Sequence, residues 1–264
     1  MVTLLNKKNI TGIAFIAVAC LFFYSCQKTL RFPPDPAPNH DLQIQFKPVV
    51  DADTLVYGNT YHNIFNEPYS VRNFKFYISQ ILLTNTDSNI TYKVNKDQYF
   101  LVDFADLTTA RLTLKAVPYT YNRISFTIGV DSLHNVSGAQ TGALDPAKGM
   151  FWTWNSGYIM AKLEGNSPAS NQQDQLFEYH IGGFAGAENV VEQIDLNFPS
   201  NQQLGFLPGH ATSMTITANT NAWFASPNAI SIASTPVCAT PGNLAVSIAQ
   251  NYANMFQVIN IINE

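Results

Sequence analysis

The sequence predicts an all-β domain, an antiparallel β-sandwich or Greek-key barrel with one C-terminal amphipathic helix. Three observations carry this. Apolar and polar residues alternate with a period of two in run after run, the signature of strands with one buried and one wet face. Clusters of Gly, Pro, Asn and Asp separate the runs. No helical segment alternates with them, which argues against the parallel-sheet classes and for a sandwich or barrel.

In chain order, Leu42, Ile44 and Phe46 alternate with Gln43 and Gln45. Phe74, Phe76 and Ile78 alternate with Lys75, Tyr77 and Ser79, and Ile90, Tyr92 and Val94 with Thr91 and Lys93. Ile124, Phe126, Ile128 and Val130 alternate with Ser125, Thr127 and Gly129. Further strands are expected at Tyr99–Phe104, Gly157–Leu163, Leu176–Ile181, Val190–Phe198 and Ser213–Ala218. Pro199–Gly209 reads as a long loop. From Asn243 to Ile259 the pattern changes. Leu244, Ile248, Tyr252, Met255 and Phe256 recur at helical spacing with no Gly or Pro after Asn243, itself a suitable N-cap. One helix over 243–259 is expected to pack on the sheet.

The N-terminus has the layout of an export signal. Lys7 and Lys8 precede an apolar run from Ile13 to Tyr24, then Ser25 and Cys26. The apolar run has about a dozen residues, short of the ~20 a membrane span needs. Residues 1–25 therefore read as a lipoprotein signal peptide and Cys26 as the lipidation site. The Pro-rich stretch 26–40 (RFPPDPAPNH at its end) reads as a stiff tether, and 41–264 as a single domain. This makes the expected location the cell envelope, on an outer membrane held by the lipid anchor and facing the periplasm or the surface.

The net charge is −4, and loss of Lys7 and Lys8 with the signal would make the chain more acidic still. That composition argues against a nucleic-acid partner, which needs basic surface. Of the three cysteines, Cys20 would leave with the signal and Cys26 would carry lipid, so Cys238 stands alone and reads as a small buried hydrophobe. A monomer is expected. The chain holds no G-x-S-x-G, H-E-x-x-H, Walker loop or C-x-x-C, no defensible pair of glycosidase carboxylates and no C-x-x-C-H, so no haem is expected in it and no enzymatic activity.

Chemistry concentrates instead in a His–Trp constellation. With only five His and three Trp in the chain, the grouping of Met150, Trp152 and Trp154 after a loop with His134, and His180 before a glycine turn, calls for a reason. If Met150–Asn155 is extended, Met150, Trp152 and Trp154 share a side, with same-side neighbours roughly 6.6 Å apart. His180 opposes Phe177, Tyr179 and Ile181 across its strand. Two imidazoles and a thioether suit a soft ion such as Cu(I). Native indole is no ligand, but oxidative opening to kynurenine supplies an arylamine and a carbonyl. The bland alternative is that a Trp-x-Trp pair is core or a stacking platform, and that a lone strand His is structural.

The run G-V-D-S...N...G-A-L-D-P...G-M-F-W-T-W-N-S-G-Y from Gly129 to Tyr158, with VRNFKFYISQILL (Val71–Leu83) before it and EYHIGGF (Glu178–Phe184) after it, resembles the MbnP-like family. These are periplasmic copper proteins first associated with methanobactin operons, with lipoprotein relatives in Bacteroidetes. The resemblance covers the chain from about Leu42 to Ile259. It implies copper held by histidines and by a tryptophan that a partner di-haem enzyme, similar to the MauG group, oxidises to kynurenine in trans. Carried over by motif, the metal residues are His134, His180 and either Trp152 or Trp154, with Met150 beside them. Two other readings compete: a glycan- or surface-binding module presenting Tyr61, Tyr119, Tyr121, Trp152 and Trp223, and an anchored scaffold that binds nothing.

Overall fold

The computed structural model describes residues 40–94, 97–153, 157–200, 202–207 and 210–263. Its first strand, β1 (His40–Val50), sets the pattern. Leu42, Ile44 and Phe46 point inward and are enclosed, while the intervening residues meet solvent. β2 (Asp53–Thr54) and β3 (Tyr61–His62) are short and lead into β4 (Pro68–Asn85), the longest strand. β5 (Ile90–Lys93), β6 (Phe100–Asp103), β7 (Arg111–Ala116) and β8 (Arg123–Ile128) follow, then a one-turn helix, α1 (Ser132–Val136). Next come β9 (Phe151–Thr153), β10 (Gly157–Asn166), β11 (Leu176–Gly182), β12 (Glu192–Asn197) and β13 (Thr212–Asn219). The remainder is α2 (Ala222–Ala225), β14 (Val237–Cys238), α3 (Asn243–Tyr252) and β15 (Phe256–Asn263).

Two sheets face each other, as the alternation predicts. The smaller runs β15-β13-β1-β2, with β7 also on β1. The larger runs β12-β8-β4-β10-β11-β14, and β3, β5 and β6 pair with β4 while β9 pairs with β10. Pairing is antiparallel except for β1–β13 and β11–β14, which are parallel. Parallel neighbours need a long crossover rather than a hairpin. Between β1 and β13 the chain builds the larger sheet, so that crossover exists. The core closes on four phenylalanines. Phe46 from the smaller sheet lies edge-on to Phe76 at 5.7 Å and to Phe126 at 5.9 Å, both from the larger sheet. Phe256 contacts Phe76 at 5.4 Å and Phe126 at 5.1 Å from the smaller sheet's far strand. Edge-to-face geometry at such distances adds to area burial.

The C-terminal stretch departs from expectation. The helix over 243–259 stops at Tyr252, and β15 takes over from Phe256. Gly242, not Asn243, is the N-cap. Met255 and Phe256 fit a helical stripe, but Phe256 and Val258 fit a strand equally well, and β13 offers a free ladder of backbone groups for them. Ile259, which helical spacing would bury, is 44 % exposed. The loop carrying His134 is likewise not irregular but contains α1. Met255 and Phe256 belong to the core. Leu204, in the stretch read as a plain loop, is fully enclosed and bridges to Tyr121. Among the described residues no helix is long and apolar enough to cross a membrane.

Candidate metal centre

β10 and β11 run antiparallel with Lys162 opposite His180 and Glu164 opposite Glu178. On the other side of β10, Lys162 faces Lys75 and Glu164 faces Asn73 of β4. Opposed residues point to the same side of a sheet. The larger sheet therefore carries two polar rows on its outward face: Lys75, Lys162, His180 and Asn73, Glu164, Glu178. Phe177, Tyr179 and Ile181 point the other way, into the core.

Glu164 is the hub of these rows. His180 Nε2 lies 2.6 Å from Glu164 Oε1, and Asn73 Nδ2 donates to Glu164 Oε2 at 3.0 Å. Lys162 Nζ lies 3.6 Å from Glu164 Oε1 and donates to the Gly149 carbonyl at 2.8 Å. Burial alone would raise the Glu164 carboxyl. The hydrogen bonds from His180 and Asn73 and the charge of Lys162 win, and hold it down at about 2. An ionised carboxylate only accepts, so the imidazole nitrogen facing it donates, and Nδ1 is the nitrogen left to face a ligand.

Trp152 meets the same face. A Cβ added at Gly182 would lie 2.5 Å from Trp152 Cζ3 and 2.9 Å from Cη2, so the benzo ring rests on the glycine where a side chain would stand. Gly182 is two positions beyond His180 on β11, hence on its side and roughly 6.6 Å away along the strand. Indole and imidazole are thus within side-chain reach. The anchor for Trp152 is local: β9 pairs back on β10, with Phe151 opposite Tyr158, and Met150 O accepts from Ile159 N at 2.9 Å.

His134 sits in α1. Asp131, the N-cap, accepts from His134 N at 3.0 Å, and its Oδ2 lies 2.9 Å from His134 Nδ1. Tyr99 Oη bonds to Asp131 and lies 3.1 Å from His134 Nδ1, and its ring crosses the imidazole with centroids 4.8 Å apart. Burial opposes ionisation of Asp131, but the bonds from Tyr99 and His134 outweigh it and lower its pKa. By the same logic Nε2 is the His134 nitrogen left to face a ligand. Asn135 ties α1 to the head of β10: its Oδ1 accepts from Tyr158 N at 2.8 Å. Ser132 Oγ donates to the Phe184 carbonyl, just past β11, at 2.8 Å. So α1, β9 and the tip of β11 meet at one end of the sheet. No direct contact joins His134 to His180 among the described residues.

Of the residues singled out from sequence, His180 and Trp152 share one face and His134 borders it. Met150 is fully enclosed in the hydrophobic core, its thioether turned from solvent. Trp154 and Cys26 lie outside the described residues. Cys238 is buried and unbridged, and desolvation pushes its thiol up to about 11. The aromatics offered for a stacking surface are not one surface: Trp223 and Tyr121 are fully enclosed. Sequence reasoning missed Glu164, Glu178, Lys162, Asp131, Tyr99 and Gly182. Two signals were available: Asp131 at N-cap spacing before His134, and Lys162 and Glu164 at alternate positions of an otherwise apolar strand. Glu164, Glu178 and His180 also form the one cluster of three His, Cys, Asp or Glu ligand atoms within 4.8 Å of one another among the described residues.

The family model for MbnP matches residues 39–240. Among solved structures the fold is similar to MbnP from Methylosinus trichosporium, with a TM-score of 0.51 at 14 % identity, covering 80 % of this chain and 88 % of that one. No curated protein matches the chain.

Proposed function

The chain belongs to the MbnP family, and from that premise we propose that it is an exported copper-binding lipoprotein holding Cu(I) in the cell envelope. The observation that carries this is the Trp152 ring resting on Gly182, on the face and within reach of His180. Each candidate imidazole is held through one nitrogen by a carboxylate, His180 by Glu164 and His134 by Asp131. Ligating histidines characteristically donate their other N–H in this way, which fixes ring and tautomer. The donor set therefore fits the ion: two oriented imidazoles and an indole that a partner di-haem enzyme converts to kynurenine in trans. The metal supplies only its own affinity for these donors. The chain's residues orient imidazole lone pairs, and the Gly182 surface seats the ring to be oxidised. Met150 is left out of the ligand set because its sulfur is enclosed. Lipidation at Cys26 and an outer-membrane location complete the reading, and no catalysis by the chain itself is needed.

The test is Cu(I) competition against a chelator, on protein from a host that supplies the oxidising partner. His180→Ala should weaken Cu(I) by more than about 100-fold, and Glu164→Gln, which loosens only the ring's orientation, by about 10–100-fold. Fragmentation mass spectrometry of the same protein should place an oxidative mass change on Trp152. Unaltered copper affinity in His180→Ala would refute the assigned centre.

A further inference from the structure

We propose that Glu164, Glu178 and His180 form a second kind of cation site, for a borderline divalent transition-metal ion such as Zn2+, on the outward face of β10 and β11. His180 is common to this site and the Cu(I) centre, but the divalent site requires no Cu(I), no kynurenine and no His134.

Four observations support it. The three ligand atoms already lie within 4.8 Å of one another, and a tetrahedral ion with ligands at ~2.0–2.2 Å needs them roughly 3.5 Å apart, a rotamer adjustment rather than a backbone one. The Glu178 carboxylate enters no hydrogen bond or ion pair among the described residues, whereas His180, two positions along the same strand, is bonded to Glu164. The Asn73 Oδ1 atom is enclosed and receives no donor, while its Nδ2 binds Glu164. A buried acceptor without a partner is costly, and a cation or its bound water beside Glu164 would satisfy it. All three ligating residues are only partly buried, so the face is open to an ion and leaves a coordination position for water.

The charge balance selects the ion. Lys75 on the same face is paired with Asp103 at 2.8 Å, so two carboxylates stand against the one remaining ammonium, that of Lys162, 3.6 Å from Glu164 and already committed to the Gly149 carbonyl, and the pocket is net negative. One imidazole with two carboxylate oxygens is a donor set for Zn2+ or Cu2+ rather than for Ca2+ or Mg2+, which prefer all-oxygen shells. On binding, the ring changes tautomer: the Nε2 proton passes to solvent, Nδ1 takes one up from solvent, and the neutral imidazole ligates through Nε2. Through Nδ1, by contrast, the same ring serves the Cu(I) centre with Glu164 as its orienting partner. Which face of one imidazole is used would then depend on which ion is present.

Calorimetric titration with Zn2+ on the wild-type protein and on Glu178→Gln tests this. The Glu178 side chain makes no bond among the described residues, so the variant should fold with an unchanged metal-free Tm. Wild type should bind one Zn2+ and gain Tm with it, as any ligand of the native state must. Glu178→Gln should lose at least tenfold in Zn2+ affinity and most of the Tm gain, while His134→Ala keeps both. Wild-type Zn2+ binding in a protein that fails to take Cu(I) would leave this site standing and remove the copper reading. Equal Zn2+ affinity in Glu178→Gln and wild type, an equal loss in His134→Ala, or no Zn2+ uptake at millimolar concentration would each overturn it.

Discussion

Gly182 shows how one missing side chain makes the site. Any Cβ there would collide with the benzo ring of Trp152. The glycine backbone cannot yield, since β11 is pinned by β10, so the tip of the indole has to give way. Gly182→Ala should therefore expel the indole from the His180 face. A red-shifted tryptophan emission with little change in circular dichroism is the expected outcome, with Cu(I) binding weakened alongside. Glu164 gives a second residue-scale expectation. Its folded pKa, about 2, is below the ordinary 4.5, so the ionised form is the one the fold favours. The resulting stability is complete above about pH 4.5 and is lost as pH falls towards 2. In metal-free protein the wild-type Tm should drop through that window, and the drop should be shallower in Glu164→Gln. Parallel pH profiles for the two proteins would refute the role given to Glu164.

At the scale of elements, α1 is too short to be stable alone, since isolated helices of one turn do not persist in water. Its order comes from its two ends. Asp131 caps it, and Asn135, fully buried, donates to the Val130 and Asp131 carbonyls at 2.7 and 2.9 Å and accepts from Tyr158 N. Asn135→Ala would strand these groups at a cost of about 1–3 kcal/mol. Hydrogen exchange should speed up in 131–137 and at the start of β10 before it does elsewhere, with His134 losing its fixed place. β10 was legible as a strand because Tyr158–Ala161 is apolar on both faces, with Lys162 and Glu164 marking the outward side of its second half. β7, with Leu112, Leu114 and Ala116 alternating against Arg111, Thr113 and Lys115, carries an equally clear alternation and was missed. The 243–259 segment was not decidable locally. Its apolar spacing satisfies both periods, and only the unpaired edge of β13 turns the second half into a strand.

For the whole molecule, the two sheets are held at their centre by Phe46, Phe76, Phe126 and Phe256, all enclosed. Phe46 touches each of the other three rings. Phe46→Ala removes the shared partner and leaves a cavity between sheets that cannot close without moving both. A loss of about 3–5 kcal/mol is expected in chemical denaturation, with the outward metal face intact at low denaturant. The centre lies on the far side of the larger sheet from this core, which separates what stabilises the chain from what equips it.

The all-β architecture, the position of most strands, the family, and the residue types that a soft metal would take are legible in the unfolded chain. Those properties are local, written in alternation, turn chemistry and a motif of a few dozen residues. Tertiary structure alone decided that Glu164 grips His180, that Glu178 stands beside them, that Trp152 seats on Gly182 and that Met150 is sealed away. The physical reason is register. Which residue of β10 lies opposite which residue of β4 or β11 is settled by hydrogen-bond ladders between strands far apart in the chain, and by a bulge that shifts them. No stretch of sequence carries that information until the sheets have closed.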